Sequence, residues 1–291
     1  MASPLSSDAL SGLVTISTEP DIRIFYTLSA PISSSKPIIV VSNSLAAATP
    51  LWDDFTAHFV TTHNILRYDA RFHGRSPLST SPDFDYDKGH SIEDLASDVA
   101  KLLDALDVKQ PVTFVGLSIG GGVGVVLAAQ YPDKFDKLII VGTKAAAVAG
   151  DDEAFTSRVE FFRQHGSRAT AAQSVQRWFG DSWIAAHPET ATTVQDIVAG
   201  QSLEGYKASV AALITLDLSP HVEEVRKRGH GQKLLFVVGE WDAEPVVHDT
   251  KTLAERTGSQ VVVVKEAGHI VNVQQPERFH EVVRSKLDER L

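Results

Sequence analysis

None of the 291 residues is a cysteine. That excludes disulfides, thiolate nucleophiles and cysteine-ligated metals together, and leaves the redox compartment open. No run of Lys or Arg forms a basic stripe either; 27 basic residues face 37 acidic ones, for a formal charge of -10 at pH 7. Such a surface repels a phosphate backbone, so nucleic acid is not an expected partner. No apolar run approaches the length of a membrane span, and the start of the chain lacks a basic segment followed by a continuous apolar one. The expectation is a soluble, cytoplasmic protein with no membrane partner. Repeats and low-complexity tracts are absent beyond a few Ser-rich loops. Met1 to about Gly12 reads as a loose end. Arg290-Leu291 is too faint a match to a peroxisomal address to be taken as one, and Ser285-Lys286-Leu287 is not terminal.

What is present is apolar sequence in quantity, 43% of residues, enough for one α/β domain carrying an insertion. The chain is organised around Val112 to Gly121, Val-Thr-Phe-Val-Gly-Leu-Ser-Ile-Gly-Gly. A β-branched apolar run predicts a buried parallel strand, Gly-x-Ser-x-Gly sets Ser118 at a sharp turn, and an apolar helix-like stretch continues to Gln130. Small residues flank the serine because a Cβ there would collide with strand and helix. The helix start behind it favours negative charge on a substrate oxygen, with the Ile119 N–H as donor. Gly-x-Ser-x-Gly alone is a short pattern. A nucleophilic serine also needs a base and a group that orients the base, which in this class follow in the order Ser, Asp or Glu, His.

Taken in order, Val14 to Ser17 and Ile22 to Leu28 predict an opening hairpin closed by a Ser/Pro loop. Pro37 to Val41 is a buried strand that delivers Ser42-Asn43-Ser44-Leu45 to the sheet edge where open α/β sheets bind ligands. Leu51 to Phe59 has helical spacing, Asn64 to Tyr68 is a strand, and a charged turn from Asp69 to Ser76 follows it. Ser91 and Asp94 form a capping box before a helix whose apolar face runs from Ile92 to Leu106. Lys137 to Val141 is the strand after the Ser118 helix. From 144 to 218 the alternation stops; this helical, aromatic stretch carries Arg158, Arg163, Arg168 and Arg177. Lys233 to Val238 and Gln260 to Val264 complete the sheet, and Pro276 to Leu287 is an amphipathic helix. The division expected is a core of 1–143 and 219–291 with a helical cap of 144–218 over the site.

Two strand ends after Ser118 carry the remaining chemistry. Leu234 to Val238 runs into Gly239-Glu240-Trp241-Asp242-Ala243-Glu244-Pro245, and Val261 to Val264 into Gly268-His269. Of eleven histidines, His269 alone follows the last strand with a glycine before it, and is the expected base. Asp242 is the expected acid, from its Gly-x-x-Asp-x-x-Pro spacing; Glu240 and Glu244 read as solvated loop charge. The oxyanion donors are Ile119 N–H and Leu45 N–H. No metal or organic cofactor has a role in this scheme.

These pieces make the chain resemble an α/β-hydrolase from about Asp21 to Leu287. Within that superfamily it is most similar to the 3-oxoadipate enol-lactonases, through Ser42-Asn43-Ser44-Leu45, Leu66-Arg67-Tyr68-Asp69, the Ser118 elbow, Arg177-Trp178-Phe179, Glu204-Gly205-Tyr206 and Gly268-His269-Ile270-Val271-Asn272-Val273 with Gln275-Pro276-Glu277. The resemblance implies a mostly parallel sheet with helices on both faces and a helical cap. It also implies hydrolysis of a small, acid-bearing enol-lactone in aromatic catabolism, with Ser44, Trp178 and Arg177 at the substrate; the Phe72 ring is expected beside the site as well. Two departures stand out: Phe72 replaces the first glycine of the family's Asp-x-Arg-Gly-His-Gly turn, and Ala46-Ala47-Ala48 stands where glycine is usual. Three readings follow from the residues: a lactone or ester hydrolase, a carbon–carbon bond hydrolase with the same triad, and a hydrolase-fold ligand receptor.

Overall fold

A computed structural model describes residues 10–289. Residues 1–9 and Arg290-Leu291 lie outside the described residues, and with them most of the expected loose end and the terminal dipeptide. In chain order the elements are β1 (Ser11–Thr18), β2 (Asp21–Leu28), β3 (Ile38–Ser42), α1 (Asp53–Phe59), β4 (Asn64–Tyr68), α2 (Ile92–Ala105), β5 (Val112–Leu117), α3 (Ile119–Gln130), β6 (Phe135–Val141), α4 (Asp151–Phe179), α5 (Asp181–Ala186), α6 (Pro188–Ala199), α7 (Leu203–Ile214), α8 (Ser219–Lys227), β7 (Leu234–Gly239), α9 (Glu244–Thr257), β8 (Gln260–Val264), α10 (Val271–Gln274) and α11 (Pro276–Asp288).

The eight strands form one sheet in the order β1-β2-β4-β3-β5-β6-β7-β8. β1 and β2 run antiparallel, as do β2 and β4, and every other pair is parallel. Ser11 and Gly12, expected in the loose end, already pair with Thr27 and Tyr26. The inner strands β3, β5 and β7 are mainly apolar and buried because both their faces are covered, whereas the edge strand β1 is mostly exposed or half-buried. Val40, Phe114, Ile140 and Phe236 enter one core together with Val99 of α2, Val126 of α3, Val222 of α8 and Leu253 of α9. Their neighbours Val41, Val115, Ile139 and Val237 enter the opposite core with Phe55 of α1 and Phe279 of α11. That alternation is the period of two that a strand imposes.

The capping box of α2 is formed as expected: Ser91 Oγ accepts from Asp94 N at 3.1 Å and Asp94 Oδ2 from Ser91 N at 2.9 Å. Between β6 and α8 the chain leaves the sheet as α4 to α7, and the two connecting segments meet at a bridge between Ala146 and Asp217. α4 is broken at Gly166, whose φ of 80° and ψ of 173° are not helical. Among the described residues, no helix is long and apolar enough to cross a membrane.

Candidate active site

β5 ends at Leu117, Ser118 follows, and α3 begins at Ile119, so the serine occupies the turn between strand and helix. Its φ of 60° and ψ of -116° lie outside the regions an L-residue ordinarily adopts, a strain of about 1 to 3 kcal/mol that neighbours must hold in place. The glycines make that possible. A Cβ on Gly116 would run into the Gly120 backbone, and one on Gly120 would stand 2.7 Å from Ser42 Oγ and 2.9 Å from the Asn43 carbonyl. The turn is pinned to the next strand through Ser118 N, which donates to Val141 O at 2.7 Å.

The β7 and β8 loops meet beside this turn. His269 Nδ1 hydrogen-bonds Asp242 Oδ2 at 2.9 Å, and the Asp242 side chain is 4% exposed. With Nδ1 engaged, Nε2 is the ring nitrogen left for chemistry. Glu240 turns away to Lys265 and accepts from Glu266 N at 3.3 Å, while Glu244 opens α9. The sequence suggests that Gly268 makes room for the imidazole. Its neighbour is instead the Trp178 carbonyl at the end of α4, which a Cβ would strike. The same carbonyl accepts from His269 N at 3.2 Å, and the Trp178 ring lies over the imidazole at 6.3 Å between centroids.

Ser118, Asp242 and His269 open onto one cavity of about 320 Å³, whose walls also include Ser44, Leu45, Ile119, Trp178 and Arg177. Among the described residues, the N–H groups of Leu45 and Ile119 make no hydrogen bond. Leu45 is presented by a turn closed by Ala47 N donating to Ser44 O at 3.1 Å, with Ala46 at φ 62°. That positive φ is why glycine suits this position; the methyl of alanine is the smallest side chain that can replace it.

Phe72 is the exception among the expected site residues. It is 3% exposed, is not on the cavity wall, and packs its ring at 4.9 Å on Phe84 and 5.2 Å on Tyr86. Its φ of 67° explains the glycine usual there, and the turn carries the ring into the core instead of to the substrate.

Among the wall residues to which the sequence gives no role, Arg158 carries a full charge beside that of Arg177. Arg158, from the first half of α4, lines the same cavity as Arg177 from the second half. On an unbroken helix, residues nineteen apart point about 100° away from each other, and the break at Gly166 is what brings both to one cavity. Among the described residues neither arginine has a carboxylate partner. Arg163 and Arg168 do, in Glu160 and Asp196. Arg177 stays accessible from the cavity, its cation disfavoured by the packing around it and then by the Arg158 charge. Burial raises the pKa of the Tyr206 phenol, another wall residue, and both arginines oppose that rise. No cluster of three or more His, Cys, Asp or Glu side chains among the described residues is placed to hold a metal ion.

Comparison with known proteins places this geometry in a family. The sequence profile of the alpha/beta hydrolase family matches residues 47–282. The chain belongs to the alpha/beta hydrolase family. This alpha/beta hydrolase is 30% identical over 268 residues to 3-oxoadipate enol-lactonase 2 of Acinetobacter baylyi, covering 92% of this chain and 94% of the relative. It is 24% identical to 3-oxoadipate enol-lactonase 1 of the same organism, over 88% and 91% of the two chains. Among solved structures, the enol-lactonase from Burkholderia xenovorans LB400 superposes with a TM-score of 0.79 at 28% identity, covering 92% of this chain and 97% of that one.

Proposed function

We propose that this hydrolase cleaves a small lactone or ester bearing a carboxylate, through an acyl-enzyme on Ser118. The observation that carries the reading is the 2.9 Å bond from His269 Nδ1 to Asp242, set on the same cavity as the strained serine. His269 Nε2 takes the Ser118 proton as Oγ attacks the carbonyl carbon. Asp242 fixes the tautomer that leaves Nε2 free as a base and stabilises the imidazolium that forms. Negative charge on the tetrahedral oxygen falls between the free N–H groups of Leu45 and Ile119, fixed donors that need no reorganisation. The imidazolium returns its proton to the leaving oxygen, and a water activated by His269 then releases the acid.

The substrate class rests on the wall formed by α4. Helices α4 to α7 act as a cap that closes the cavity, and two arginines without carboxylate partners suit an anionic group taken out of water. The named relatives are enol-lactonases, which agrees with a lactone carrying an acid.

The test is a panel of lactones and esters in acidic and neutral forms, run with wild type, Ser118→Ala, Arg158→Ala and Arg177→Ala. Ser118→Ala abolishes turnover of every substrate. Each arginine variant raises KM for acidic lactones by an amount equivalent to about 1.5 to 3 kcal/mol for a charged hydrogen bond, and leaves neutral esters of similar size nearly unchanged. Turnover retained without the Ser118 hydroxyl sinks the acyl-enzyme. Equal effects on acidic and neutral substrates sink the carboxylate.

A further inference from the structure

The loop after β3 holds a polar group with no structural employment. Ser44 is 3% exposed, lines the cavity, and its hydroxyl is buried without a hydrogen-bond partner among the described residues. Buried polar atoms in folded proteins are nearly always paired, and an unpaired one at a ligand cavity points to a partner supplied by the ligand.

Its position follows from sheet register. Ser42 of β3 pairs with Gly116 of β5 in adjacent parallel strands. Ser44 and Ser118 each come two residues after that matched pair, and Leu45 and Ile119 each come three residues after it. The loop is held from several sides: Ser42 Oγ shares a hydrogen bond with Tyr68 OH at 2.7 Å, Asn43 Nδ2 donates to Tyr68 O at 3.0 Å, and Trp52 Nε1 donates to Asn43 Oδ1 at 3.0 Å. Gly120 lies so close to Ser42 and the Asn43 carbonyl that it has no room for a Cβ, so the loop rests on the first turn of α3. The Ser44 backbone is thus fixed, and what remains adjustable is rotation of its hydroxyl.

We propose that the Ser44 hydroxyl is a third donor to the oxyanion, engaged only once the substrate carbon is tetrahedral; this rests on the acyl-enzyme reading above. A carbonyl oxygen offers two lone pairs, which the N–H groups of Leu45 and Ile119 occupy. The alkoxide formed by attack has a third lone pair and a full charge, and Ser44 O–H meets both. Ser44 keeps its proton; the one transferred is that of Ser118, which goes to His269. An interaction made in the transition state and not in the bound substrate lowers the barrier without tightening substrate binding.

The experiment compares wild type, Ser44→Ala, Ser44→Gly and Ser118→Ala with p-nitrophenyl acetate as substrate and a trifluoromethyl ketone as tetrahedral mimic, each variant first checked by thermal melting. Removal of the hydroxyl lowers kcat about 10²-fold, leaves KM within about twofold, and weakens the ketone by the same factor as kcat/KM. The glycine variant gives the same result should alanine prove unstable. A kcat equal to wild type in either folded variant overturns the proposal, as does a rise confined to KM with ketone affinity unchanged. If Ser118→Ala still turns over, the acyl-enzyme falls and Ser44 with it. If Ser118→Ala is inactive while the Ser44 variants match wild type, Ser44 alone falls.

Discussion

At the scale of single residues, the site depends on which of several similar groups is placed against its partner. Glu240, Asp242 and Glu244 lie within five residues, yet only Asp242 reaches His269, at 2.9 Å and shielded from solvent, while Glu240 is held outside by Lys265. Asp242→Asn keeps the shape of the carboxylate but reverses the tautomer it selects, and turnover of an ester slows by roughly 10³- to 10⁴-fold. Glu240→Gln loses a surface ion pair worth about 0 to 1 kcal/mol and stays near wild type. Steady-state kcat of the two variants decides the assignment, and a larger loss in Glu240→Gln would reverse it. Phe72 teaches the same lesson in the other direction: adjacency to a charged turn in sequence does not bring a side chain to the substrate, because a backbone at φ 67° aims it elsewhere.

At the scale of elements, α4 is two arms with one task. The arm after Gly166 is tied to His269, since the Trp178 carbonyl accepts from His269 N. The arm before it carries Arg158 to the cavity and is anchored at its start by the ion pair of Asp151 with Lys144. The break itself is open space, with no atom within 4 Å of a Cβ added to Gly166. Gly166→Ala therefore meets no clash, only the cost of a φ/ψ region that glycine alone occupies comfortably. Urea denaturation gives a loss of about 1 to 3 kcal/mol. No loss of stability would mean that the two arms can join as one straight helix, which would carry Arg158 away from Arg177. Activity on an acidic lactone would then fall even though the protein remained folded.

Across the whole molecule, the helical segment and the sheet meet over buried histidines. His73 and His90 are 3% and 5% exposed, and each keeps one ring nitrogen without a partner among the described residues. His90 Nε2 shares a hydrogen bond with Ser209 of α7 at 3.2 Å. Burial pushes both pKa values down; at His90 the charges of Arg71 and His73 add to the effect, while at His73 the Arg71 carbonyl and Asp69 oppose it. The unfolded chain therefore binds protons near pH 6.5 that the folded one refuses. Stability is complete above about pH 6.5 and declines as pH falls from there toward the folded pKa values, with a slope of at most about 1.4 kcal/mol per pH unit for each histidine. Urea melts between pH 5 and 8 measure that slope. His90→Gln, which can keep a bond to Ser209, makes it shallower. A stability that is flat over this range, or that rises toward acid, would contradict the burial of neutral imidazoles.

The strands, the elbow and the order of the chemical groups were legible along the chain because they are local. A strand buried on both faces must be apolar, a turn through Ser118 must be flanked by glycine, and a helix cap needs its Ser91 and Asp94 three residues apart. Neither α8 nor α9 is anticipated: each buries a narrow stripe, Val222 and Val225 in one and chiefly Leu253 and Ala254 in the other, too short to stand out against charged neighbours. What only the tertiary structure decided are relations between segments far apart in sequence. Gly268 is small for the sake of Trp178, ninety residues earlier; Arg158 joins Arg177 because a helix breaks; Phe72 leaves the cavity for Phe84 and Tyr86; and Ser44 and Ser118 come to one cavity after strands β3 and β5 that pair in register. Composition and periodicity report which face of an element is buried. Which atom lies across from it depends on packing angles and backbone turns that no single stretch of sequence contains.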